Sequence, residues 1–124
     1  MSNAYIFLLM VFLHIVDDYY LQRILASMKQ KGWWEENAPQ ELYKYDYIWA
    51  LIMHSFSWAF MVMLPVMFIT NNIIMYLLVF IVNLAIHAFT DHVKANLKRI
   101  NLWVYQLLNI GQIICTFLIF FIWM

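Results

Sequence analysis

The sequence predicts an all-α protein, a polytopic membrane bundle of four transmembrane helices, and three observations lead there. Of the 124 residues, 66% are hydrophobic and 11% charged, whereas a soluble domain is about half apolar and a quarter charged. The apolar residues are gathered into four runs, each near the roughly 20 residues that a helix needs to cross the hydrocarbon layer. The seven basic residues all fall in or beside two of the three connections between those runs. Four spans use about 80 residues, so residues 1–124 are expected to form a single membrane domain with short links and no separate soluble unit.

Span one is predicted over about 4–26. Its apolar part, AYIFLLMVFLHIV, is followed by DDYYLQR. That places Asp17 and Asp18 near the interface and Tyr19 and Tyr20 in the aromatic belt. The run has no basic leader and no small-x-small cleavage pattern, so it reads as a retained span rather than a signal peptide. The connection over 27–45 is punctuated by Gly32 and Pro39, and Trp33 and Trp34 are expected to hold it at the membrane surface. Span two, about 46–69, carries His54, Ser55, Ser57 and Pro65, the last expected to kink its far end. Thr70, Asn71 and Asn72 make a tight turn into span three, about 73–91. The charged link HVKANLKRIN follows, then span four, about 102–124, with Gln106, Asn109, Gln112 and Cys115. A lone cysteine excludes an intrachain disulfide, and Cys115 is expected to be a small buried hydrophobe.

Basic residues in short loops mark the cytoplasmic side. Arg23, Lys29, Lys31 and Lys44 accompany the first connection, Lys94, Lys98 and Arg99 the third, and the 70–72 turn has none. The expected placement is a bacterial inner membrane, multi-pass, with both termini extracytoplasmic.

The polar residues of the spans gather at the cytoplasmic depth. His14 and Asp18 are four apart on one helical face, with Gln22 four further on; His87 and Asp91 repeat the spacing, with Lys94 close to that face. His54 lies about eight residues into span two, roughly 12 Å from its start. Gln106 and Asn109 occupy the same half of span four. Ionisable groups in a membrane are costly and turn inward to a partner or a cavity. Mixed nitrogen and carboxylate ligands suit a divalent metal ion, zinc or manganese, which would also relieve the repulsion between Asp18 and Asp91. The expected ligands are His14, Asp18, His87 and Asp91, with His54 as the catalytic base. Gln22, Lys94, Gln106 and Asn109 are expected to bind substrate or support the ligands. Asp17, about 100° around the helix from Asp18, is expected to be a solvated interfacial charge, and His92 faces elsewhere. A hydrogen-bonded network that only holds the helices together is the plainer reading of the same residues.

At these positions the chain resembles the domain-of-unknown-function 3307 family of small bacterial and phage integral membrane proteins. His14, Asp18, Tyr19 and Gln22 are similar to its first-span pattern H-x-x-x-D-[FY]-x-x-Q. His54-Ser55 matches a second-span histidine often followed by serine, and His87, Asp91 and Lys94 match H-x-x-x-D-x-x-K. The last element, similar to D-Q-x-x-H, is met by Gln106 but has Tyr105 and Asn109 at its acidic and histidine positions, which removes ligand atoms from span four. The resemblance implies a small membrane bundle and no defined activity.

The function these residues suggest is a metal-dependent membrane hydrolase acting on a phosphate-containing lipid or lipid-linked substrate at the cytoplasmic leaflet. A non-enzymatic membrane regulator or host-interaction protein with a structural polar core is the alternative. A small oligomeric ion or proton transporter is the second, and it is disfavoured by the apolar far half, where Asn83 is the single polar step. Membrane lipid is the expected partner, nucleic acid is not, and self-association into a homo-oligomer is compatible with so small a bundle.

Overall fold

The computed structural model describes residues 2–122, and within them the protein is all-α. Helix α1 covers Asn3–Val16 and runs on into a π-helical turn, Asp17–Leu21. Two short helices follow, α2 over Arg23–Met28 and α3 over Lys31–Asn37. Then come the long helices α4 over Asp46–Met67, α5 over Ile73–His92 and α6 over Leu102–Ile122; a second π-helical turn, Val93–Leu97, extends α5. Four of these units are long and apolar enough to cross a membrane: Asn3–Leu21, Glu41–Met67, Ile73–Leu97 and Leu102–Ile122. The four-span membrane bundle expected from the sequence is the architecture found. The first span is shorter than expected, because helical geometry breaks at Gln22 (φ −97°, ψ 33°) and α2 starts anew.

Polar residues at the starts account for several helix boundaries. The Ser2 hydroxyl accepts from the Tyr5 amide at 3.4 Å, Asn72 Oδ1 from Met75 at 3.0 Å and Asn101 Oδ1 from Val104 at 2.9 Å. Each satisfies an amide that would otherwise lack a partner in the first turn. Helix α4 runs through Pro65 and ends two residues later.

Helix α4 is the axis of the bundle. It packs along both α1 and α5, while α6 closes against α5 and α1. Its buried face includes the small residues Ser55 and Ala59, one turn apart, which lets neighbouring backbones approach closely. The apolar core is built from Ile6, Met10, Trp58, Val62, Met63, Val66, Tyr76, Ile113 and Phe120. These residues lie toward the end of the bundle that carries the 68–72 turn. Large apolar side chains such as Leu8, Phe12, Ile74, Phe89, Trp103 and Leu107 point outward, as a lipid-facing surface requires.

One polar clamp crosses this apolar half. Asn83 Nδ2 donates to Thr116 Oγ1 at 2.9 Å, and Gln112 Nε2 donates to the Asn83 carbonyl and Oδ1 at 2.8 and 2.9 Å. It ties α5 to α6. Replacing Asn83 by leucine is expected to cost about 1–2 kcal/mol, read from reversible unfolding in mixed micelles; a cost indistinguishable from zero would mean that Gln112 and Thr116 find other partners.

Candidate metal centre

The other half of the bundle holds a buried cluster of charged and polar side chains. It sits where α1, α4 and α5 meet under the two charged connections. His14, Asp17, Gln22, His54, Ser55, His87, Asp91 and Asn109 are all buried, and only 8% of the Asp18 side chain is exposed.

The π-helical turn at Asp17–Leu21 shapes the first wall. A π turn holds more residues per turn than an α-helix and commonly marks functional sites. Both aspartates are drawn inward by it. Asp17 is fully buried and accepts from Ser57 Oγ and, at 2.9 Å, from Gln22 Nε2. This corrects the expectation of a solvated Asp17, which assumed a regular 100° step. Gln22 serves Asp17 rather than the His14–Asp18 face.

His14 has both ring nitrogens engaged. Trp58 Nε1 donates to Nδ1 at 2.7 Å, and Nε2 lies 2.8 Å from Gln106 Oε1. That pattern fits the tautomer protonated on Nε2, and it leaves no free lone pair for a metal. His14, expected as a ligand, thus sits beside Asp18, its Nδ1 3.6 Å from Oδ2, with both nitrogens already engaged. Gln106 is in turn held to the Tyr19 hydroxyl at 3.2 Å.

His54 and His87 approach each other through Nε2, 3.2 Å apart. His54 Nε2 is also 3.0 Å from Asp91 Oδ2 and 3.8 Å from Asp18 Oδ1. Among the described residues, Asp18, His54 and His87 form a group whose ligand atoms all lie within 4.8 Å of one another. His54, expected as the base, belongs to this group, whose geometry is compatible with a divalent metal ion. Asp91 is instead gripped by Lys29, whose Nζ lies 2.8 and 2.9 Å from its two carboxylate oxygens. Lys94, expected near Asp91, lies over the Tyr105 ring, 5.3 Å from its centroid. Asn109 is buried within α6 with no well-formed hydrogen bond to its amide. His92 stacks on Tyr47 and meets Asn96, away from the cluster. Cys115 is exposed toward the lipid face, not buried as expected.

Three properties of the cluster suit a divalent cation. Both oxygens of Asp18 are buried with no hydrogen-bond partner among the described residues, the nearest ring nitrogens being His14 Nδ1 at 3.6 Å and His54 Nε2 at 3.8 Å, an arrangement that a bound cation would relieve. The two Nε2 atoms are spaced like neighbouring ligands of one ion, since zinc–nitrogen bonds of 2.0–2.1 Å at a tetrahedral angle put them about 3.3 Å apart. The cluster also sets three carboxyl groups, Asp17, Asp18 and Asp91, against one ammonium, that of Lys29, a donor set rich in oxygen ligands for a divalent ion. One feature departs from a typical zinc site: Nδ1 of both His54 and His87 has no protein partner, so no carboxylate or carbonyl orients either ring from behind. Packing does part of that work. Trp58 stacks on His87 with centroids 4.1 Å apart and planes 6° from parallel.

Two organising residues, Lys29 and Trp58, were not among the sequence candidates. Trp58 carried a signal, since it lies one turn from His54 on the same face of α4. Lys29 carried none, being one lysine among several in a connection. Its position is set by Asn96, whose Nδ2 donates to the Lys29 carbonyl at 3.0 Å and whose Oδ1 accepts from the Lys31 amide at 2.7 Å.

Compared with models of known protein families, with characterised proteins and with solved structures, the chain matches none.

Proposed function

We propose that the protein is a metal-dependent membrane hydrolase that acts on a phosphate-bearing lipid. The observation that carries this reading is the convergence of Asp18, His54 and His87, with both Asp18 oxygens buried and without a hydrogen-bond partner among the described residues. A zinc or manganese ion held there would act as a Lewis acid toward a phosphoryl oxygen and would acidify a water. The chain's own residues would do the rest. Asp91 Oδ2, 3.0 Å from His54 Nε2, adjoins the position where that nitrogen would hold the ion, Lys29 fixes Asp91 from the membrane surface, and Trp58 sets the planes of His87 and His14. Lys94, over the Tyr105 ring and lining a surface cavity beside Lys29, can meet an anionic group.

The charge asymmetry of the connections supports a site on the cytoplasmic side with both termini opposite, and the family resemblance supports a bacterial inner membrane. The residues that resemble the domain-of-unknown-function 3307 family, among them Asp18, His54, His87 and Asp91, surround this cluster, and on that ground we propose membership of it.

The test is elemental analysis of the purified protein. About one zinc or manganese per chain is expected in the wild type, near zero in Asp18→Ala and His87→Ala, and near wild-type content in His14→Gln, because His14 lies outside the ligand group. A wild type without metal, or one whose content is unchanged by Asp18→Ala and His87→Ala, would overturn the reading. It would favour a regulator whose polar core is structural.

A further inference from the structure

We infer that one face of the α5–α6 pair binds a phospholipid, its phosphate in a lysine-lined cup at the membrane surface and a hydrocarbon chain in the groove below. The binding stands on its own geometry; that the lipid is also the substrate rests on the hydrolase reading.

The cup encloses about 370 Å³ between the end of α2 and the start of α6. Lys29, Lys94 and Lys98 line it, with Gln30 and Asn101, and no acidic residue does. Lys29 Nζ is paired with Asp91, so the ammonium groups of Lys94 and Lys98, with no carboxylate among the lining residues, make the site for an anion. A second surface cavity, under α3, is a useful contrast, because there Lys31 and Lys44 are offset by Glu35 and Glu41. Lys29 is shared between cup and metal centre: it lines the cup while its Nζ holds Asp91. A phosphate in the cup therefore lies one side chain away from the buried cluster.

The groove encloses about 550 Å³ between α5 and α6. Its walls are mainly apolar, among them Leu78, Val82, Ile86, Leu108 and Ile119. Its floor is the Asn83–Gln112–Thr116 clamp, whose polar atoms are largely satisfied by one another. It is open at Gly111, where an added Cβ would meet nothing within 4 Å.

Cup and groove are lined by successive stretches of the same elements: Lys94 and Ala95 beyond Ile86 and Asn83 on α5 and its extension, and Asn101 and Leu102 before Leu108 and Cys115 at the start of α6 and along it. From Lys94 to Ile86 is roughly 12 Å along the axis, so a headgroup at the interface carries its chain down into the groove. A basic cup above an apolar groove, at those depths, is complementary to an anionic phospholipid and not to a soluble phosphate, which needs no groove. Nor does it suit a second copy of this chain, whose lipid-facing helices offer the cup no anion.

The experiment titrates the purified full-length protein, in neutral detergent, with dioleoyl phosphatidic acid, dioleoylglycerol and inorganic phosphate, and reads binding by native mass spectrometry and thermal midpoint. Phosphatidic acid is expected to bind at least about tenfold more tightly than either of the others. Lys94→Gln with Lys98→Asn should weaken phosphatidic acid about tenfold and leave dioleoylglycerol unchanged; asparagine suits the left-handed backbone of Lys98, at φ 55°. Gly111→Phe, or Cys115→Phe as a second way to fill the groove, should weaken phosphatidic acid about fivefold and spare inorganic phosphate. Equal affinity for phosphatidic acid and dioleoylglycerol, equal affinity for phosphatidic acid and free phosphate, or groove variants that bind like the wild type would each overturn the inference. Metal content measured on the same samples separates the two readings. Lipid binding by a wild type that carries no metal supports the site while the hydrolase reading fails, and lost lipid selectivity with full metal content does the reverse.

Discussion

Replacing Lys29 by methionine is expected to destabilise the bundle by about 3–5 kcal/mol, the cost of stranding a buried charge whose partner has been removed. Asp91 is fully buried and takes both hydrogen bonds of its ion pair from the one ammonium. The Lys29 side chain is itself only 12% exposed, so the pair is not a surface ion pair, which would be worth about 0–1 kcal/mol. The double variant Lys29→Met with Asp91→Asn should recover most of the loss, because a neutral amide no longer needs a counter-charge and can still bond His54. Reversible unfolding of the four proteins in mixed micelles measures the coupling directly. If Lys29→Met costs less than about 1 kcal/mol, water reaches Asp91 and the ammonium is dispensable.

The large features of this molecule were legible because a bilayer constrains them strongly. A backbone in hydrocarbon must satisfy its own hydrogen bonds, so four apolar runs become four helices, and the 70–72 turn and Asn101 fall where the runs stop. The depth of His54, read from the helical rise, was enough to bring it beside Asp18 and His87. What failed was azimuth and reach. A regular helix turns Asp17 away from Asp18, but the π-helical turn at Asp17–Leu21 buries both, and nothing in DDYYL announces that turn. Lys29 reaches Asp91 across 62 residues of sequence, on a flexible stem that periodicity cannot aim. His14 shares its His-x-x-x-Asp spacing with His87, yet the two part company because Trp58 and Gln106 occupy both nitrogens of one ring and neither nitrogen of the other. Identical motifs on parallel helices therefore need not have identical roles; their partners on α4 and α6 decide.

Trp58 is the residue on which both halves of the bundle depend, and substituting it should separate its two contributions. The ring is fully buried, belongs to the apolar core, lies flat on His87 and donates its N–H to His14. Trp58→Ala is expected to cost about 3–5 kcal/mol, since it opens a cavity that rigid neighbours cannot close, and it removes the surface that sets the plane of His87. Metal content should fall with it. Trp58→Phe keeps an aromatic face against His87 and loses the indole N–H, which leaves His14 Nδ1 buried without a donor. That loss alone is expected to cost about 1–3 kcal/mol, with metal content close to wild type, because Asp18, His54 and His87 remain in place. The pair of measurements decides between the contributions. If Trp58→Phe is as damaging to stability as Trp58→Ala, the hydrogen bond to His14 outweighs packing. If Trp58→Phe also loses the metal, His14 acts on the centre through more than its contacts with Trp58 and Gln106, and its place outside the ligand group must be revised.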